Sequence, residues 1–390
     1  MIIIPFSPLL QITIFVSLGV LVSASSNDLT PTWQPRNIDP LPKEEQMIAD
    51  FLRDVASIEN IQTNSTILTP CYKISRDSSF TRSWTHEDWL QHSAPPIRRY
   101  WRHLSSWRYS TTAAEILPVV GVMGLWAALL SSAASFLPAF PAYLKKVSVR
   151  SGLLGSFGSP IALLLTLRTN RALERLLDAR KTWGVMSSQV QSLAGYFCSY
   201  VAPADLPLAL LALRYLAILS WTLKGFLRRE SDDEIIQTVL PPEEAAWLLS
   251  APADRPTAVL SRLRKLCMSA SAKSLNEGAH LQMADRVNEL EQCIGICKRL
   301  VGSPIPPTFT RHTARLLCLY LTLLPIGLLG VGMSPVGVVI ATSLTTYILV
   351  GVDEIGHEIE YPFPLLPMQE LSKIMHNNVM KQAKMMRDMP

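Results

Sequence analysis

The chain has 390 residues, of which 48% are hydrophobic and only 17% charged, and its mean hydropathy is +0.22. Its net charge of +5 is spread along the sequence and not gathered with aromatics on one segment. That excludes a nucleic-acid-binding stripe and suits an acidic lipid surface or an anion path. Length alone would suggest two or three soluble domains, but the apolar residues fall in long runs that such domains do not need.

In chain order, residues 1–24 are almost wholly apolar and uncharged, and Val22-Ser23-Ala24 has the small-residue pattern of a signal-peptidase site. Residues 25–80 read as a leader or a poorly ordered region, with one amphipathic piece near Glu44–Ile58. An apolar signal followed by a polar leader fits two-step plastid import in an alga, and equally the ordinary secretory route. The sequon Asn64-Ser65-Thr66 does not decide between them. A membrane domain is expected over 81–370, with membrane segments at about 116–144, 152–168, 204–222 and 316–352. The second run is short and rich in glycine (Gly152, Gly155, Gly158), which predicts a helix lining something inside an assembly. It ends at Arg168 and continues into a charged helical stretch, so the helix should leave the membrane and enter water. The third run is interrupted by Arg214, which should face protein or water. A soluble helical part follows, with a helix start at Pro241-Pro242-Glu243-Glu244. The run 316–352 is too long for one crossing and is broken by Gly327–Pro335, so a kinked helix plus a second helix, or a hairpin, is expected. Residues 371–390 form a polar tail of helical pattern.

Catalytic and metal chemistry find little support. The six cysteines, Cys71, Cys198, Cys267, Cys293, Cys297 and Cys318, show no CxxC and no disulfide-scaffold spacing. Cys293 and Cys297 stand one helical turn apart, as a metal or redox pair or as two small apolar residues on a helix face. The histidines form no ligand pattern, and there is no Gly-x-Ser-x-Gly elbow or phosphate-binding glycine loop. No enzyme activity and no cofactor are expected.

Three separated blocks carry a resemblance. Arg168-Thr169-Asn170-Arg171-Ala172-Leu173-Glu174-Arg175 with Ala179-Arg180-Lys181-Thr182-Trp183-Gly184 resembles the signature of bestrophins. Gly356 to Phe363 resembles the family's exit from the last membrane helix, Gly-x-Glu-Ile-Glu-x-Pro-Phe. Ser303-Pro304-Ile305-Pro306, leading to His312 and Arg315, is the third. Thr85 to Trp89, with Arg98 to Trp101, resembles the start of the plant thylakoid chloride channels. The resemblance implies an all-α integral membrane protein with four membrane segments per subunit, assembled as a homopentamer around an axial pore. Chloride and other monovalent anions would be the permeant partners, alongside membrane lipid and without nucleic acid.

On that reading Gly152, Ser156 and Pro160 line a neutral neck that binds ions weakly enough to release them, and Leu281 stands at a second aperture. Arg168, Glu174, Arg175 and Arg180 meet the anion or brace the assembly as ion pairs. Asn170 caps the helix as it turns, and Trp183, Pro362 and Phe363 belong to the structural motif. Glu354, Glu358 and Glu360 bind a cation or fix the helix exit. Animal bestrophins have an acidic run after Pro-Phe that resembles a calcium clasp. Here Phe363 is followed by Pro364-Leu365-Leu366-Pro367-Met368-Gln369, so no calcium site is expected. The expected role is passive anion conduction (chloride, with nitrate or bromide) in the thylakoid membrane, tuning the proton motive force. The alternatives are a bestrophin-fold scaffold with little conductance and a bicarbonate or chloride channel of another membrane.

Overall fold

A computed structural model describes residues 42–58, 84–136, 153–250, 254–273 and 277–388. The expected signal segment, the sequon, Cys71 and Gly152 lie outside the described residues. Within them all regular structure is helical: α1 (Pro42–Ser57), α2 (His86–His92), α3 (Pro96–Ser105), α4 (Thr111–Phe136), α5 (Leu153–Tyr196), α6 (Leu206–Arg228), α7 (Asp233–Val239), α8 (Pro242–Ser250), α9 (Arg255–Lys273), α10 (Glu277–Gly302), α11 (Pro307–Gly330), α12 (Pro335–Glu360) and α13 (Met368–Asp388).

Four of these are long and apolar enough to cross a membrane: α4 from Thr112, α6, α11 and α12. The protein is an integral membrane protein. Helices α4, α11, α12 and the start of α5 pack on one another. The α4–α12 contact is built from small side chains. Ala113, Ala127, Ser131 and Ala134 are buried on α4, and Val338, Thr342 and Thr346 on α12. A Cβ on Gly124 would come within 2.9 Å of the Ser343 hydroxyl, so glycine leaves room for that side chain between the two helices. Ile161 and Leu165 of α5 pack with Leu317 and Leu321 of α11 in a core of their own. The Trp126 indole donates to the Thr322 carbonyl at 3.2 Å, and the Trp107 indole to the Tyr347 hydroxyl at 2.9 Å. The expected break in the run 316–352 falls at residues 331–334. Gly332 takes φ +87° there, the Ser334 hydroxyl accepts from the Gly337 N–H, and Pro335 opens α12.

The other helices form a second, larger core around α6. Helix α6 covers the expected third span, 204–222, and differs from the other three candidate spans in its packing. Helix α6 is 78% buried over its most apolar window, against 22–33% for α4, α11 and α12. It is wrapped by α1, α9, α13 and the far end of α5. Its hydropathy reflects a helix enclosed by protein, which needs an apolar surface all round. Arg214 meets protein, as expected: it pairs with Asp54 of α1 at 2.9 Å and lies over the Phe51 ring.

The expected amphipathic piece near 44–58 is helical. It is helix α1, whose Ile48, Phe51, Val55 and Ile58 are buried against α6, α7 and α13. The helical pattern expected of the C-terminal residues matches α13, which buries Met375, His376, Val379 and Ala383 along one face. That face recurs every three to four residues, the spacing of a helix stripe. Ahead of α4, the short helices α2 and α3 leave Trp89, Ile97, Tyr100, Trp101 and Leu104 exposed, with Arg98, Arg99 and Arg102 beside them.

Candidate pore helix and its anchors

Helix α5 runs unbroken for 44 residues through both cores, with Pro160 near its start. The expectation that the second run continues into the charged stretch as one helix matches this geometry. Its composition explains its persistence, since leucine, alanine, arginine and glutamate all favour the helix. One face is buried from end to end: Ile161, Leu165, Arg168, Ala172, Ala179 and Trp183 mark its first two thirds. The opposite face is uncovered, through Ser159, Leu163, Leu167, Asn170, Leu173 and Leu177. Leu163 is 60% exposed and Leu177 54%, so the helix carries an apolar stripe that nothing described in its own chain covers. Pro160 is exposed on this side. Ser156 lies in the first turn of α5, and its side chain is outside the described set.

The arginines of the signature divide by face. Arg168 is buried and pairs with Asp353 and, at 3.8 Å, with Glu360. Its charge is therefore turned into the protein, not towards the open face. Arg175 makes no ion pair among the described residues. It donates to three carbonyls, those of Leu300 (2.6 Å), Ser303 (2.7 Å) and Glu360 (3.1 Å), and so ties α5 to the last residues of α10 and α12. Those carbonyls belong to helix C-termini, where a cation also complements the dipole. Arg171 pairs with Glu174 on the surface, and Arg180 stays exposed with no ion-pair or hydrogen-bond partner among the described residues. Asn170 does not cap a turn, because α5 passes straight through it and its side chain is exposed.

The exit of α12 is held by the end of α6. Pro362 and Phe363 are buried, and Arg228 of α6 donates to the carbonyls of Phe363 (3.1 Å), Pro364 (3.4 Å) and Leu366 (2.7 Å). The Tyr361 hydroxyl donates to the Leu227 carbonyl at 2.8 Å. A Cβ on Gly356 would sit 3.2 Å from the Thr169 hydroxyl, so glycine sets how closely α12 approaches α5. Glu358 is half-buried beside Glu354 and Glu115 of α4. No cluster of metal-binding side chains occurs among the described residues.

Helix α10 runs back along the second half of α5. Arg286 bonds Gln189 at 3.0 Å, and the Tyr196 hydroxyl meets Gln282 at 2.7 Å. Leu281 is 58% exposed at this far end. From Leu163 to Tyr196 the helix rises about 50 Å at roughly 1.5 Å per residue. Cys293 and Cys297 are buried in α10, and burial pushes their thiols up to about 11 and about 12. They fit the reading as small apolar residues, because a thiol held protonated is a poor nucleophile and a poor ligand.

A profile of the Bacterial/Fungal Bestrophin protein family matches residues 88–381. The chain belongs to the bestrophin family. Among curated relatives of this bestrophin, Voltage-dependent chloride channel 1, chloroplastic, of Arabidopsis thaliana is 28% identical over 309 residues, 77% of this chain and 73% of that one. A voltage-dependent anion channel-forming protein of Nostoc sp. is 27% identical over 247 residues, covering 61% and 80%. Crystal structures of a bacterial bestrophin homologue from Klebsiella pneumoniae share the fold. One of them, of a single-residue mutant, has a TM-score of 0.63 at 20% identity and covers 70% of this chain and 99% of that one. The sequence reading of this bestrophin missed the anchors Asp353, Arg228 and the three carbonyls under Arg175. Asp353 was the one with a visible signal, a carboxylate closing an apolar run.

Proposed function

We propose that the protein assembles as a homopentamer and conducts monovalent anions passively along an axis lined by the open face of α5. It is a channel and not an enzyme, as its family and its channel-named relatives indicate. The observation that carries the reading is the uncovered stripe on α5. It continues past Arg168 into the water-facing half, where lipid cannot shield Leu173 and Leu177, so further copies of the chain are the natural cover.

In this reading α4, the start of α5, α11 and α12 cross the membrane, and α6 stays in the water-facing half. The neck runs along the start of α5, past Ser156 and Pro160, to Leu163. No charged residue occurs from 151 to 167, so ions meet a neutral wall and bind weakly enough to leave. Exposed Leu163 and Leu167 make the far end of the neck an apolar constriction, which favours anions that shed water easily. Chloride, nitrate and bromide are the candidates. Arg180 and Lys181, exposed on the water side of α5, make that mouth positive. Leu281 forms a second ring, beside the far end of α5. The aromatic and basic faces of α2 and α3 suit the membrane–water interface. The plastid thylakoid is the membrane that best fits the apolar leader and the chloroplastic relatives.

Single-channel recording of variants tests the arrangement. Leu163→Glu should weaken or reverse anion preference, Ser156→Phe should cut conductance, and Leu281→Ala should raise flux without changing ion preference. Unchanged currents in all three would remove α5 and Leu281 from the path.

A further inference from the structure

A cavity of about 360 Å³ opens where α10 ends, α11 begins and α12 ends. That volume is within the range of roughly 300–1,000 Å³ typical of small-ligand sites. One wall is apolar, formed by Val301, Pro304, Ile305, Pro307 and the Tyr361 ring. The other wall is polar and carries Arg311, His357, Thr310, Arg175 and Glu360.

The charges of these walls are unequal. Glu360 is engaged by Arg168, and Arg175 directs three of its five N–H donors to the Leu300, Ser303 and Glu360 carbonyls. Arg311 has no ion-pair or hydrogen-bond partner among the described residues. The same is true of His312 and Arg315, exposed on the same stretch of α11. Among the residues that line the cavity, two guanidinium groups, Arg175 and Arg311, stand against one carboxylate, Glu360. The surplus is one positive charge, presented on Arg311.

Position adds the remaining constraint. The apolar run begins near 316 on α11 and ends near 352 on α12, so the cavity residues 307–311 and 357–361 stand one to three helical turns outside it, about 7–14 Å at roughly 1.5 Å per residue, at the level of lipid headgroups. Exposed apolar side chains, Ile355 and Ile348 of α12 and Leu319 of α11, continue from that level into the membrane.

We propose that this cavity binds the phosphoryl group of an anionic amphiphile, with Arg311 as the charged contact and the Val301–Pro307 wall against its apolar part. A lone guanidinium beside an apolar wall matches a phosphate diester joined to a hydrophobic chain better than it matches a fully hydrated ion. The site is separate from the open face of α5, so it stands or falls independently of conduction.

The test uses the full-length protein in detergent and native mass spectrometry with dioctanoyl phosphatidylglycerol or dioctanoyl phosphatidylcholine. The expected result is retention of phosphatidylglycerol over phosphatidylcholine. Arg311→Gln should weaken that retention about tenfold, equivalent to about 1.4 kcal/mol, while Arg311→Lys restores most of it. Val301→Trp should abolish retention without altering charge, and Lys384→Gln on the exposed face of α13 should leave it as in wild type. Thermal shift with millimolar inorganic phosphate separates the two sources of the ligand. A shift equal to that of phosphatidylglycerol, lost in Arg311→Gln, assigns the site to free phosphate and overturns the amphiphile. Equal retention of both lipids, or equal retention by Arg311→Gln and Lys384→Gln, overturns the proposal as a whole.

Discussion

Replacing Arg175 by alanine tests the joint between the pore helix and the rest of the chain. The guanidinium donates to three carbonyls at 2.6–3.1 Å, and two of these bonds are part-buried. A hydrogen bond from a charged donor contributes about 1.5–3 kcal/mol. The Ser303 carbonyl lies in an exposed turn and water can replace its donor, so its bond adds least. The Leu300 and Glu360 carbonyls cannot be rehydrated so freely, and they set the expected loss at roughly 2–4 kcal/mol. At about 2–4 °C per kcal/mol for a chain of this order of size, the melting temperature should fall on the order of 5–15 °C. Tryptophan fluorescence of the detergent-solubilised protein reads this directly. Arg175→Lys should recover only part of the loss, because an ammonium is a compact point charge and cannot span three diverging carbonyls. Arg171→Ala is the control. Its pair with Glu174 is exposed on both sides, and such pairs contribute about 0–1 kcal/mol. If Arg175→Ala and Arg171→Ala melt within about a degree of each other, the joint does not hold the helices as described.

Other outcomes follow from the same contacts. Gly356→Ala should destabilise by about 0.5–2 kcal/mol, because its Cβ would stand 3.2 Å from the Thr169 hydroxyl, and adding Thr169→Ala should relieve most of that loss in a double-mutant cycle. Burial pushes the Glu244 carboxyl up, but the hydrogen bonds from Arg262 and Tyr215 and the charge of Arg262 outweigh it, so Glu244 sits below its ordinary value. Its contribution is therefore complete above the ordinary carboxylate range and is lost as pH falls through the lowered value; Arg262→Gln should flatten the acid limb of a stability–pH curve, and an unchanged limb would exclude the pair as a source of acid sensitivity. Calcium chelation should leave current intact. The carbonyls of Phe363, Pro364 and Leu366 already accept from Arg228, and residues 364–367 supply no carboxylate. Loss of open probability on chelation would refute that argument.

Where sequence and structure agree, the signal is local. Gly332, Ser334 and Pro335 end one helix and start the next by conformational preference alone, so the split of the last apolar region is readable from the residues. The persistence of α5 through Arg168 is likewise written in a stretch, Ile161 to Lys181, dominated by leucine, alanine, arginine and glutamate. Where they differ, the missing information is tertiary. Hydropathy records that α6 avoids water but not that α1, α9 and α13 pack around it. Helix α1 has the composition of a solvated leader, and its docking depends on which residues of α6, α7 and α13 face it. The same limit applies to the signature arginines. Their spacing places Arg168 and Arg175 on one side of α5, but only the folded chain shows that one meets carboxylates and the other helix-end carbonyls. Gly152, Ser156 and Pro160 follow a strict four-residue spacing, whereas the exposed stripe on α5 follows the 3.6-residue repeat and reaches Leu163 and Leu167.

The central claim is that the open face of α5 lines an anion path, and reversal potential in a bilayer tests it most directly. With a tenfold potassium chloride gradient, the account predicts a reversal potential close to the chloride equilibrium value for the wild-type protein, and a shift towards the potassium value for Leu163→Glu. A wild-type reversal potential near the potassium value would contradict anion conduction, and a Leu163→Glu value identical to wild type would take α5 out of the pore.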